Sequence, residues 1–279
     1  MGQVLKEMVC IRRDRQCRRC SISNKCSYTF VFETATYYAG QPRDSGGVPQ
    51  PFVLEPPLEE ETRYEVGQTI NFSLVLMGRG VDYLPYFLSA FDFMGERGIG
   101  RRRGRFELFR VTDSYSGEVV YDRESGEVNS LLTPRNLSDL LLKSEACQSC
   151  CLTLLTPLRL KQGGSLTEQF NFELLIRAIL RRITYLNQYF GDQEIELDYK
   201  QLIDQAKEIK TRARNIAWRD WERYSSRQDT RMKLGGIVGD IEFAGEITPF
   251  WPFLLMGQEI HIGKNTTFGL GKYLVERSG

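Results

Sequence analysis

Apolar positions recur at two spacings along the chain, and together they predict a mixed helix and strand protein. Asn171 to Phe190 (NFELLIRAILRRITYLNQYF) places apolar residues at helical intervals and stops at Gly191, which predicts an amphipathic helix. Tyr199 to Ile216 carries a similar spacing and predicts a second one. Leu84 to Gly95 (LPYFLSAFDFMG) is an almost wholly apolar helix. The opening MGQVLKEMV puts Val4, Leu5, Met8 and Val9 on one face. It reads as the last turns of a helix, so the chain is expected to begin inside a fold, as after a truncation or a misplaced start. Tyr28 to Thr34, Ile70 to Gly78, Arg105 to Val111, Cys150 to Leu160, Gly235 to Ile247 and Lys272 to Glu276 read as strands.

The order of these elements repeats. INFSLVLMG, LPYFLSAFDFMG, GERGIGRRRG and RFELFRV give strand, apolar helix, Gly-rich loop and strand. GGIVGDIEFAGEI, PFWPFLLMG, HIGKNTTFGLG and KYLVE give the same plan. The parsimonious unit is βαββαβ used twice, an α+β, tandem ferredoxin-like (RRM-like) architecture. The expected divisions are residues 1–128, incomplete at the start, then a polar linker at 129–148, then residues 149–279. A Cys-rich insertion at 10–26 interrupts the first domain.

Charge changes the picture by its placement. The net charge is only +1, but 27 of the 37 basic residues are arginine, the side chain suited to phosphate forks and base stacking. They cluster at Arg12 to Arg19, Arg97 to Arg105 and Arg212 to Arg231, while acid gathers at Glu55 to Glu65. Each run alone fits a solvated face; beside glycine loops they fit an RNA backbone. No apolar run has membrane-spanning length and no charged-then-apolar leader is present, so a cytoplasmic protein without a membrane partner is expected.

Seven cysteines are present, and Cys10, Cys17, Cys20 and Cys26 have the spacing C-x6-C-x2-C-x5-C. Such a set suits a structural zinc, with iron–sulfur as the second choice and free thiols as the competing reading. Cys147, Cys150 and Cys151 lack a fourth ligand in sequence and read as core thiols.

The last thirty-five residues hold the chain's only histidine, His261, beside a turn-rich loop with Gly263, Gly269 and Gly271 and two lysines, Lys264 and Lys272. Glycines there let backbone N–H groups approach a phosphate. In the first copy Arg101, Arg102, Arg103 and Arg105 are the corresponding phosphate contacts. In IHIG, His261 alternates with Ile260 and Ile262 and is expected to face away from the core.

GDIEFAGEITPFWPFLLMGQEIHIGKNTTFGLGKY resembles the C-terminal domain of the CRISPR-associated RAMP endoribonucleases that process precursor crRNA, the sixth Cas family. The Cys-rich segment with YTFVFET and PFVLEPP, and YLPYF…GERGIGRRRGRFELF, resemble the longer branch of that family. The resemblance implies a protein that binds the CRISPR repeat and cuts it without a metal or other cofactor. The ribose 2′-OH attacks the adjacent phosphate and leaves a 2′,3′-cyclic phosphate. CRISPR effector subunits and a second copy of the chain are the further partners it leaves open. Many members carry a catalytic histidine near the N-terminus, and none stands there in this chain. That makes His261 the candidate general base or acid, with Lys264 and Lys272 steadying the phosphate; the competing reading gives His261 only a hydrogen bond to the loop. Two other functions compete: a catalytically silent RAMP subunit that holds crRNA, and a redox or metal-sensing element centred on the cysteines.

Overall fold

The computed structural model describes all residues except 42–46, 60, 62, 101, 130, 131, 133, 142–145, 193, 194, 226–229 and 279; at 141, 222–225 and 230–232 it describes the backbone alone. The chain divides into two compact units, Met1–Gln50 with Arg79–Asn136, and Pro51–Gly78 with Leu137–Gly279. Residues 51–78, expected in the N-terminal domain, thus fold with the C-terminal half.

The first unit is mainly helical. α1 (Gly2–Val9) buries Val4 and Leu5. α2 (Ser27–Phe32) replaces the strand expected from YTFVFET. Its Tyr28, Thr29, Phe30 and Val31 are all buried, and a segment covered on every side shows no periodicity from which helix and strand can be told apart. The Phe30 ring stacks on Tyr83 at 4.3 Å. α3 (Leu84–Arg97) forms as expected, with proline in its first turn and Leu84, Phe87, Leu88 and Phe91 on its buried stripe. Only Arg110–Thr112 of the expected strand from Arg105 pairs, with Val119–Asp122, in the one ribbon among this unit's described residues.

The second unit contains the βαββαβ order. β1 (Phe52–Glu55) and β2 (Ser73–Leu76) form an antiparallel ribbon of their own. β3 (Ser149–Leu158), α4 (Phe172–Phe190), α5 (Tyr199–Lys207), β4 (Lys210–Arg219), β5 (Gly236–Ala244), α6 (Trp251–Ile260) and β6 (Tyr273–Arg277) follow. The sheet order is β6-β3-β5-β4, antiparallel throughout. The expected helix from Tyr199 to Ile216 therefore stops at Lys207. β4 is an edge strand, exposed or half-buried at every position, so it has no alternation to read.

One sheet face packs under α4 and α6. Leu152, Ile241, Phe243 and Tyr273 meet Leu175, Ile176, Phe250 and Leu254, all buried, and Phe172 sits edge-on to Phe243 and Phe250 at 5.1 Å each. Each such side chain contributes about 1.5–3 kcal/mol. The alternate positions Cys151, Thr153, Asp240, Glu242 and Glu276 form the other face. Burial first, then the charges of Asp240, Glu242 and Glu276, raises the Cys151 thiol pKa, and Arg212 of β4 pairs with Glu242 at 3.2 Å. Among the described residues no helix is long and apolar enough to cross a membrane.

Candidate functional site

The C-terminal loop begins where α6 runs out of hydrogen-bond partners. Arg182 of α4 donates its Nε–H to the Ile260 carbonyl at 2.8 Å, placing a cation at the negative end of the helix. His261 follows with φ 57° and ψ 157°, a backbone region that is nearly glycine's alone and costs roughly 1–3 kcal/mol. Its ring holds that conformation from two sides. Nδ1 lies 3.1 Å from the Leu270 carbonyl, and Nε2 lies 2.6 Å from Oε1 of Glu55 at the end of β1. Lys272 closes the set with Nζ 2.7 Å from Glu55 Oε2.

Burial pushes the Glu55 carboxyl up, but hydrogen bonds from His261 and Lys272 and their charges outweigh it and hold the pKa at about 2. His261, Glu55 and Lys272 thus form one hydrogen-bonded triad with the carboxylate at its centre.

This corrects the expected orientation of His261. The ring is 0% exposed, and Ile262 beside it is equally enclosed. Alternation is a rule of extended strands; after a helix, a left-handed residue turns its side chain inward instead. With both nitrogens engaged inside the protein, the ring does not face solvent in this conformation.

The glycines face the protein as well. A Cβ on Gly271 would stand 1.8 Å from the Ile262 carbonyl oxygen, and one on Gly269 2.7 Å from Pro56 and 3.0 Å from the Leu54 carbonyl oxygen, both at positive φ. Thr156 receives the Lys272 N–H at 2.9 Å and donates to the Gly269 carbonyl at 2.8 Å. Gly271 donates its N–H to Pro157, and Lys264 its N–H to Arg159 at 3.0 Å. These amides brace the loop against its own unit.

Lys264 remains as the loop's outward charge. Burial first, then the nearby charges of Arg181 and Lys161, lowers its ammonium pKa. Arg159, whose carbonyl holds the Lys264 N–H, also has its Nε buried without a hydrogen-bond partner among the described residues. Arg181 and Lys161 are exposed. A lysine pressed by two other cations calls for an anion. Sequence reasoning missed Glu55, Thr156, Lys161 and Arg181. Glu55 sat in an acidic run that read as solvated, and nothing in the spacing tied it to a histidine 206 positions away.

In the first unit, Ile99 and Gly104 exchange backbone hydrogen bonds of 2.9 Å each and close a hairpin whose Arg102, Arg103 and Arg105 are exposed. Arg101 lies outside the described residues. The four N-terminal cysteines are half-buried free thiols, while Cys147 and Cys150 are buried and Cys151 is half-buried in the second unit.

Residues 152–273 match the family model described as CRISPR-associated endoribonuclease Cas6, and residues 1–133 match one described only as an N-terminal domain. An uncharacterized protein of Archaeoglobus fulgidus is 25% identical over 283 residues, covering 98% of this chain and 88% of that one. Among solved structures, a Cas6 product complex aligns with a TM-score of 0.58 at 16% identity, covering 88% of this chain and 87% of the other. A partial Cas6-RT-Cas1–Cas2 complex aligns with a TM-score of 0.56 at 17% identity, over 81% of this chain and 39% of that one. At these identities the structures show a shared fold.

Proposed function

Taking as premise that residues 152–273 are a domain of the CRISPR-associated endoribonuclease Cas6 family, we propose that the protein binds CRISPR repeat RNA and cleaves it by attack of a ribose 2′-OH. The βαββαβ unit with its four-stranded sheet is a ferredoxin-like frame for that task. The observation that carries the reading is the cation group Lys161, Arg181 and Lys264 at the rim of the braced loop. A bridging phosphate relieves the repulsion there, and Lys264 offers an ammonium to the charge that builds on the phosphorane. His261 holds the loop through Glu55 and Leu270 and does not touch RNA. Arg102, Arg103 and Arg105 add phosphate contacts from the first unit.

A second reading is a silent subunit that retains crRNA, favoured by the burial of the chain's one imidazole. One experiment separates the two. Repeat RNA transcribed from the host's own array is incubated with the protein in EDTA and its fragments are weighed by mass spectrometry. Fragments ending in a 2′,3′-cyclic phosphate establish the nuclease and its independence of metal. RNA that is bound yet intact, with and without added divalent metal, establishes the silent subunit.

A further inference from the structure

The segment from Cys10 to Cys26 has no hydrophobic reason to hold its shape. None of its residues is buried, and its two isoleucines, Ile11 and Ile22, are 80% and 43% exposed. The only residues in it that are not fully open to solvent are the four cysteines, Arg12 and Ser23. All six line a single cavity of about 20 Å³. The backbone around it is irregular: two single turns of tight helix, Cys17–Arg19 and Ser23–Lys25. Cys20 donates its N–H to the Cys17 carbonyl, and Ser23 donates its N–H to the Cys20 carbonyl, each at 3.1 Å. A stretch this long without apolar burial ordinarily stays unstructured unless something cross-links it. No disulfide does so, since all four thiols are free.

We propose that Cys10, Cys17, Cys20 and Cys26 are a tetrathiolate site for one structural zinc ion. Four soft donors and no redox partner favour zinc, held tetrahedrally with sulfurs at about 2.3 Å. Among the described residues no three cysteine, histidine or acidic side chains already stand as metal ligands do, so the sulfurs close in around the ion as it binds. Each thiol gives up its proton to solvent in that step. The bound site carries a net charge of about −2, and cations are in place to meet it. Arg12 and Arg15 line the cavity, paired with Asp14 and Glu7, and the charge of Lys6 acts on Cys17. The ion pins the Arg-rich strip Arg12 to Arg19 to α1 and α2.

The test uses the full chain, purified without chelator or oxidant. Metal analysis is expected to find about one zinc per chain, and cobalt exchanged for it is expected to show the visible bands of tetrahedral sulfur coordination. The double variant Cys17→Ser/Cys20→Ser is expected to lose the metal, while Cys151→Ser keeps it. Should the double variant fail to fold, a mercurial titration of the unmodified protein reads the same site, with zinc leaving as the N-terminal thiols react. Trypsin cuts at the exposed arginines, and removal of zinc is expected to speed cleavage within 12–19 at least about tenfold. A metal-free chain that takes up neither zinc nor cobalt overturns the proposal. So does a brown protein with iron charge-transfer absorption, or a disulfide joining any two of the four cysteines.

Discussion

The two glycine loops, Arg97 to Arg105 and Ile260 to Lys272, use the same residue classes for opposite ends. In the first, Gly98 lets the hairpin close on the Arg103 carbonyl, but the tip turns in the open: a Cβ on Gly100 would meet nothing within 4 Å, and Arg102, Arg103 and Arg105 stand in solvent. In the second, glycine lets the backbone lie against its own protein, and most of the charge turns inward to Glu55. One loop displays cations and the other stores them, leaving Lys264 at the rim. Likeness of composition therefore did not carry likeness of role. What decides the role is whether a neighbouring element, here the end of β1, supplies a partner.

The sharpest way to break this contrast is steric. Gly271→Val puts a branched side chain where the Ile262 carbonyl oxygen already lies 1.8 Å from an ideal Cβ, at φ 73°. It is expected to cost more than about 4 kcal/mol and to leave the second unit unfolded or aggregated. Gly100→Ala, also at φ 73° but in open space, is expected to cost only about 1 kcal/mol. Denaturant midpoints read both. Comparable losses at the two glycines would show that the loops are built alike.

Next in size is the stored charge. Glu55→Gln leaves His261 and Lys272 without their anion and is expected to cost about 3–5 kcal/mol. The sign of the pH dependence follows from the depressed carboxyl. Its folded pKa of about 2 lies below the ordinary 4.5, so its stabilisation is complete above 4.5 and is lost as pH falls towards 2. The side chain is only 13% exposed, so solvent screening is minor and the shift corresponds to on the order of 3 kcal/mol. Unfolding free energies of wild type and Glu55→Gln are expected to converge as pH drops from 5 to 2, at about the range that separates those two values. A gap that stays constant across that range would remove the triad as its source.

The fold was legible in the sequence where burial is one-sided. Asn171 to Phe190, Leu84 to Gly95 and the strands at Cys150, Gly235 and Lys272 all appear close to where their periodicity places them. It was illegible where burial is total or nil. Ser27–Phe32 is covered all round, and Lys210–Arg219 is bare along its length. In the first copy of the repeat, Ser73–Leu76 pairs with Phe52–Glu55 and Arg110–Thr112 with Val119–Asp122, in two separate ribbons. In the site, the loop and Lys264 were visible as glycines and lysines. The inward turn of His261 was not, because it depends on a positive φ and on a carboxylate from β1, neither of which a linear pattern records.

The displayed charge separates the loops by salt. Replacing Arg102, Arg103 and Arg105 together by alanine removes three exposed cations while leaving the Ile99–Gly104 backbone bridge in place. Repeat RNA is expected to bind more weakly, and the slope of log affinity against log salt is expected to flatten by about 2, at roughly 0.7 per phosphate contact on a single strand. An unchanged slope would take the hairpin out of the RNA contact.

The smallest effect is the most diagnostic of the second loop. Lys264→Ala removes one phosphate contact, so the salt slope is expected to flatten by only about 0.7. The loop's fold should hardly change, because Lys264 braces it through a backbone N–H that alanine keeps. Relieving the repulsion from Arg181 and Lys161 should even offset part of any lost packing. If Lys264 also meets the phosphorane, cleavage falls further than binding, by about 10–100-fold in the single-turnover rate at saturating protein, and Lys264→Arg restores binding more fully than rate, since a planar guanidinium does not place its charge where the ammonium did. Loss of binding and rate in equal proportion would confine Lys264 to holding the RNA. Lys272→Ala, by contrast, should lower stability with little change in the salt slope, because its ammonium is already engaged by Glu55.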